Sequence, residues 1–291
     1  MTEAQLRAFV TVADTGGFAE AARRLHMSQP GVSRAVRALE EELGGNLFVR
    51  GRGVTAPTTL GERVLARGRS ILREVEAIRQ ERDEARGLTS GHIRLGSMPS
   101  VSLAILPSLM ARLERRHPAL SVTVVDGHDD ELVKWLRMGT VDLAVVAGRH
   151  DGLELQPLLT DELLALLPAR HPLASASAVR PRDLAEEPFI LTRAGCERLF
   201  LAALAAHGVV PNVSHEVSEA SAIVAMVGEG LGVSLIPRLA APDPPPTVAL
   251  RSLRPRAERH LSIAATPDHA LSPAAVAFLA EVAAARELPD P

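Results

Sequence analysis

Residues 19–50 read AEAARRLHMSQPGVSRAVRALEEELGGNLFVR, and the spacing of apolar residues within that stretch decides how the N-terminal part folds. Phe18, Ala21, Ala22 and Leu25 fall at i, i+3, i+4 and i+7, one face of a helix. A turn at His26 and Met27 leads to Ser28, a good N-cap, and Pro30 is tolerated in the first turn of the helix that follows. That helix runs to about Leu43. Upstream, Leu6, Phe9, Val10 and Ala13 repeat the same spacing ahead of Gly16 and Gly17. Downstream, LFVR and GVTAP flank Gly51 to Gly53 and read as a small hairpin, a wing.

On a helical wheel Val32, Val36, Leu39 and Leu43 share one side of the third helix, while Gln29, Ser33, Arg34 and Arg37 point the other way. Glutamine pairs bidentately with adenine, arginine with guanine, and serine with several base edges, all in a major groove that accepts a helix. Ser28 stands where backbone N–H groups meet a phosphate. The plainer reading is a solvated face carrying two arginines. A preceding helix, a short turn and a basic wing with Arg50 and Arg52 favour DNA, with the wing arginines on phosphates or in a minor groove.

From about Thr58 to Leu88 the chain is one long polar helix with a seam at Val64, Gly68, Ile71, Val75, Ile78, Arg82 and Ala85. Steps of four and three are the heptad spacing of a coiled-coil dimer, so Val64, Ile71, Val75 and Ile78 are the expected dimer contacts. The alternative is a helix lying on its own domain, which usually shows a broader apolar face.

The stretch quoted above resembles the signature of the LysR-type transcriptional regulators, AA..L..SQP.VS..I..LE..LG..LF.R. The resemblance implies an all-α winged helix-turn-helix, a linker helix, and an α/β two-lobed effector domain resembling type 2 periplasmic binding proteins. Applied here, it places the DNA-binding domain at residues 1–58, the linker at 59–89 and the effector domain at 90–291. Lobe 1 then takes about 90–160 and 267–291, and lobe 2 about 161–266. The implied partners are a double-stranded DNA operator, a small-molecule effector and further copies of the chain in a homodimer or homotetramer, with RNA polymerase a further candidate. One departure follows the wing, where the family has LT..G and this chain has PTTLG, with Pro57 in place of the leucine.

Composition bounds the rest. The chain has 291 residues, 46% of them hydrophobic, but only 2% aromatic and without tyrosine, so any pocket lacks an aromatic cage. The formal charge of -3 hides a polarity: residues 1–69 hold ten arginines against seven acids, leaving 22 basic against 28 acidic residues for the remainder. Cys196 is the only cysteine, which excludes an intrachain disulfide and suits a reducing compartment. No export signal and no membrane-length apolar run are read, so a cytoplasmic location is expected, without a membrane partner.

After Ser90 strands and helices alternate: HIRLG, LSVTVV, VDLAVVA, LLALLP, FILT, GVSLIP and LSIAAT are strands, and a terminal helix spans 272–286. Mostly parallel sheets are expected from that alternation, with residues 241–247 a proline-rich surface loop. Ligands of open α/β sheets sit at strand C-termini and helix N-termini. The turn after the first strand carries Ser97, Met98, Pro99, Ser100 and Ser102, hydroxyls and N–H groups suited to a carboxylate. The resemblance puts the effector site at this turn and sets Thr192 and Arg193 across the cleft from it. Glu219 and Ser221, opening a later helix, form a weaker third wall. A small organic anion is the expected effector, and no cofactor is expected.

Cys196 beside Arg193 and Arg198 reads either as a redox-sensing thiol or as a small pocket residue, with no second cysteine to resolve a sulfenic acid. His128, Asp129, Asp130 and Glu131 have metal-binding composition, but neighbours on a strand-to-helix connection cannot all converge on one ion, and Asp129 or Asp130 serves as an N-cap. No metal site is therefore expected. No nucleophile with a candidate base is found, so an enzyme is not expected. A solute-binding protein of the same two-lobed fold is the remaining alternative, but it calls for an export signal and no helix-turn-helix.

Overall fold

A computed structural model describes residues 1–49, 55–84, 91–241, 243–267 and 271–286. The chain divides into two compact units, one made chiefly of Met1–Gly91 and the other chiefly of His92–Leu136 and Val141–Pro267.

Among the described residues the N-terminal unit holds four helices along Met1–Gly91: α1 (Glu3–Thr15), α2 (Phe18–Arg24), α3 (Gln29–Leu43) and α4 (Thr59–Glu84). A reciprocal capping box starts α1, with Thr2 Oγ1 accepting from the Gln5 N–H at 3.3 Å and Gln5 Oε1 accepting from the Thr2 N–H at 2.7 Å. His26, at φ 53°, turns the chain between α2 and α3. The expected packing positions Leu6, Phe9, Val10, Ala21, Ala22, Val32, Val36 and Leu39 are buried in one core. Leu43, read as the last packing position, is exposed instead, because α3 has run past the edge of that core where Gly44 ends it in the left-handed region.

The base of the wing is paired. Val49 N–H donates to the Ala56 carbonyl at 2.9 Å, and Phe48 bridges Pro57. Phe48 then meets Phe9 and Phe18 with ring centroids 5.2 and 5.8 Å away, in tilted and edge-on arrangements that suit aromatic rings. Glu40, half-buried on α3, accepts the Leu47 N–H at 2.7 Å and so ties the wing to that helix. Arg50, Arg52 and the three glycine and valine positions around them lie outside the described residues. Thr58 caps α4 through the Gly61 N–H at 3.0 Å. Gly61 must be glycine here, since a Cβ would stand 2.1 Å from the Leu47 carbonyl oxygen. The helix is described to Glu84, and residues 85–90 lie outside the described ones.

In the C-terminal unit the order is β1 (Gly91–Ser97), α5 (Pro99–Ala104), α6 (Leu106–Arg116), β2 (Leu120–Asp126), α7 (Asp129–Arg137) and β3 (Leu143–Ala147). There follow β4 (Glu154–Pro168), β5 (Ala178–Val179), β6 (Pro188–Thr192), α8 (Glu197–Ala205), β7 (Asn212–Val217), α9 (Ala220–Gly228), β8 (Ser234–Pro237), β9 (Val248–Ala265) and α10 (Pro273–Arg286). The strands make a sheet ordered β2-β1-β3-β9-β4-β8, with β5 beside β9, and a separate parallel pair β6-β7.

The expectation of mostly parallel sheets needs correction. β1 pairs β3 in parallel, as expected of β–α–β units, but β3–β9, β4–β9 and β4–β8 are all antiparallel. The physical reason is the pair of long strands, β4 of 15 residues and β9 of 18, which run in opposite directions through both lobes as one ladder from Glu154↔Ala265 to Pro168↔Val248. Only LSIAAT at the end of β9 reads as strand in the sequence. Its first half, rich in arginine and holding Pro255, lacks the apolar run that marks a buried strand.

Candidate DNA-reading face and effector cavity

Residue types on α3 sort by side. Ser28, Gln29, Pro30, Arg34 and Arg37 are exposed and Ser33 is half-buried, opposite the buried Val32, Val36 and Leu39. Ser28 caps the helix by accepting the Gly31 N–H at 3.2 Å. Arg34 and Arg37 make no ion pair among the described residues, so two guanidinium groups stand free on the face that projects from the core.

The linker seam splits between two sides of α4. Val64 packs against the N-terminal core, and Gly68 lies against α1, a Cβ there standing 3.4 Å from both Leu6 and Val10 side chains. Leu65 is buried beside them and Leu72 packs partly against that core. Arg69 is ion-paired with Asp14, and Arg79 reaches Glu3 at 3.0 Å, so polar ties continue the same stripe. The hydrogen bond from Arg7, with Arg79 added, holds the Glu3 carboxyl below its usual range. Ile71 and Ile78 face away, 41% and 69% exposed, with Val75 half-buried between them.

Between the lobes of the C-terminal unit lies an open cavity of about 890 Å³. Its base is an ion pair that the long strands create: Asp161 on β4 and Arg259 on β9 are directly opposite in the ladder. Arg259 donates from Nε at 2.9 Å and Nη2 at 2.7 Å to Asp161 Oδ2, and the two residues are only 4% and 3% exposed. Arg259 Nη2 also donates to Ser100 Oγ at 2.8 Å, which joins β9 to the start of α5. Its Nη1 faces two soft acceptors, Cys196 Sγ at 3.7 Å and Met98 Sδ at 3.8 Å. Burial pushes the Cys196 thiol up, and the Arg259 charge offsets only part of that.

Among the residues singled out by sequence, Met98, Pro99, Ser100, Thr192 and Arg193 line this cavity together with Cys196. Ser97 does not: it is fully buried and its hydroxyl donates to the Met98 carbonyl at 3.3 Å. Ser102 also faces elsewhere, donating to Asp126 at 2.6 Å. Glu219 and Ser221 are exposed outside the wall, while Ala220 between them is part of it. Arg193 is already taken by Glu216, Nε to Oε2 at 3.1 Å. The anion expectation, which rested on Ser97, Ser100 and Arg193, therefore gains nothing from two of its three supports.

The structure adds residues that sequence reasoning set aside. His128, Asp129, Asp130 and Glu131 line the cavity, with Asp129 bonded to the Ala147 N–H at 2.7 Å and to His150 at 3.1 Å rather than capping α7. Glu131, in the first turn of α7, accepts the N–H of His128 just ahead of the helix at 3.0 Å. Gly195 presses on His128, since a Cβ there would lie 2.7 Å from the histidine Cβ. Among the described residues no group of three or more candidate metal ligands converges.

A helix-turn-helix with a free basic face, joined to a two-lobed α/β unit with a cavity between its lobes, defines a ligand-responsive DNA-binding protein. The chain belongs to the LysR family of transcriptional regulators. The model of the bacterial regulatory helix-turn-helix protein, lysR family, matches residues 4–62, and that of the LysR substrate binding domain matches 86–287. It is 36% identical over 282 residues to the probable HTH-type transcriptional regulator LrrA of Synechococcus elongatus, covering 96% of this chain and 95% of that one. A cysteine-to-aspartate variant of full-length OxyR from Pseudomonas aeruginosa superposes with a TM-score of 0.76 at 26% identity, covering 97% and 94% of the two chains. A cysteine-to-serine OxyR variant from Corynebacterium glutamicum, bound to H2O2, gives 0.65 at 25% identity over 98% and 92%. Among the described residues no helix is long and apolar enough to cross a membrane.

Proposed function

We propose that this regulator reads its operator with Gln29, Ser33, Arg34 and Arg37 of α3, seated by Ser28 and Pro30, with Arg50 and Arg52 of the wing on the flanking backbone. The observation that carries this is the free guanidinium pair on the exposed side of a helix whose opposite side packs through Val32, Val36 and Leu39. The protein acts in the cytoplasm as a dimer or tetramer through the exposed edge of α4, performs no catalysis itself, and engages RNA polymerase at its promoters. Its working divisions are residues 1–58 for DNA, 59–89 for the linker and 90–291 for the effector, the lobes meeting at about residues 160 and 266.

The effector occupies the cavity over Arg259, bounded by Met98, Ser100 and Thr192. Closure around it shifts a population between two arrangements of the oligomer on DNA. Gln29→Ala with Arg34→Ala is expected to lower the ratio of operator to random-DNA affinity at fixed salt by ten-fold or more. An unchanged ratio removes α3 as the reading element.

A second reading is favoured by the contact of Cys196 Sγ with Arg259 Nη1 inside the cavity. In that reading a hydroperoxide transfers one oxygen to the sulfur, giving a sulfenic acid and water or an alcohol. The burial of the thiol predicts a slow reaction at neutral pH. A single-oxygen mass gain on Cys196, accompanied by altered operator affinity and lost in Cys196→Ser, is its test; oxidation without any change in affinity ends it.

A further inference from the structure

Resting on the reading of the cavity as the effector site, we propose that its ligand is a primary organic amine, an ammonium group carried on an apolar body. Among the described residues the wall holds five carboxylates, Asp129, Asp130, Glu131, Glu197 and Glu258, against three arginines and three histidines, with Asp129 paired to His150. Two of those arginines are neutralised by acids outside the wall, Arg259 by Asp161 and Arg193 by Glu216. Arg198 alone faces the other four acids without an ion pair among the described residues. A cleft lined with one sign of charge and bounded by low-dielectric walls concentrates the opposite sign, so an incoming cation is drawn in and a carboxylate is repelled.

The demand is for N–H donors and not for positive charge alone. Glu197 lines the wall, and its Oε2 is buried with no hydrogen-bond partner among the described residues, so turning that side chain toward the cavity exchanges an unsatisfied acceptor for one that meets a donor. Among the described residues Phe200 is the only phenylalanine, tyrosine or tryptophan in the wall, so the cage that selects quaternary ammonium is missing. Leu199, Phe200, Ile223 and Ile236 supply the apolar remainder, which calls for a hydrocarbon body behind the ammonium group.

The full-length chain is titrated calorimetrically at pH 8, above the ordinary histidine range, with n-hexylamine, hexanoate and hexyltrimethylammonium. Hexylamine is expected to bind at least ten-fold more tightly than either of the other two. Glu197→Gln, and Glu258→Gln on a separate element, should each weaken it several-fold, and Ile223→Trp should abolish it by filling the cavity. Hexanoate binding as tightly as the amine, and lost in Ile223→Trp, overturns the amine while leaving the cavity as a ligand site. Equal binding of the trimethylammonium probe overturns it likewise. If none of the three probes binds, or if binding survives Ile223→Trp, the reading of the cavity as the effector site falls and the amine with it.

Discussion

Asp161 and Arg259 stand 98 residues apart in the chain and share one oxygen through two hydrogen bonds at the base of the cavity. Two charges so deeply buried lose much of their hydration, and their attraction compensates only while both are present. Asp161→Asn should therefore cost about 3–5 kcal/mol in chemical denaturation, because the Arg259 charge is left alone in the interior. The apolar double variant Asp161→Leu with Arg259→Met should recover most of that loss; an equally unstable double variant would mean that packing, not the stranded charge, is responsible. Glu281 makes a second residue-scale case. Burial alone would raise its carboxyl, but Arg116 and Arg112 outweigh it and hold the carboxyl below its usual value of 4.5. A depressed carboxylate contributes stability that is complete above that value and lost as the pH falls through the lower folded one. Wild type should thus lose stability more steeply than Glu281→Gln as the pH falls below 4.5, and the denaturation midpoint of the variant should be the flatter against pH.

At the level of elements, the reading helix, the wing and the linker helix are set by a few close approaches. Phe48 anchors the wing among Phe9 and Phe18, Glu40 ties it to α3, and Gly61 lets the first turn of α4 rest on the Leu47 carbonyl. Gly61→Ala forces a Cβ to 2.1 Å from that oxygen, so the helix must move. The expected cost is about 1–3 kcal/mol with weakened operator binding, measured by thermal unfolding and DNA titration. Wild-type values for both would show that α4 is not positioned there. Pro57, where the chain departs from the family pattern, serves as the strand partner of Phe48 just ahead of the Thr58 cap. In the C-terminal unit the corresponding element is β9, which pairs with β4 along its length and joins β5 near one end to β3 at the other.

For the whole molecule the outcome depends on association, and α4 offers one side to its own domain and the other to solvent. Val64, Leu65, Gly68 and Leu72 are occupied within the chain, which leaves Ile71 and Ile78, seven residues apart, as the apolar points of the free side. Ile71→Glu with Ile78→Glu should convert the oligomer to monomer at micromolar concentration in sedimentation equilibrium, with the helix content unchanged. An unaltered mass would assign association to another surface.

The N-terminal unit was legible in the sequence because its information is local. Helix period, glycine and proline punctuation and the N-cap at Ser28 all act within a few residues, so the packed side of α3 and its free basic side could be read directly, Leu43 excepted. The alternation of strands and helices was equally visible. What only the tertiary structure decided is the cavity. Arg259 sits in a strand whose arginine-rich first half carries no apolar signal, and its partners Asp161, Ser100, Met98 and Cys196 come from three other places in the chain. The register of β4 on β9 brings the two charges face to face, and hydrogen bonds to Met98 and Glu216 turn Ser97 and Arg193 away from the ligand roles their residue types suggested. A cavity's charge is a sum over segments distant in sequence, and only the fold determines which of them count.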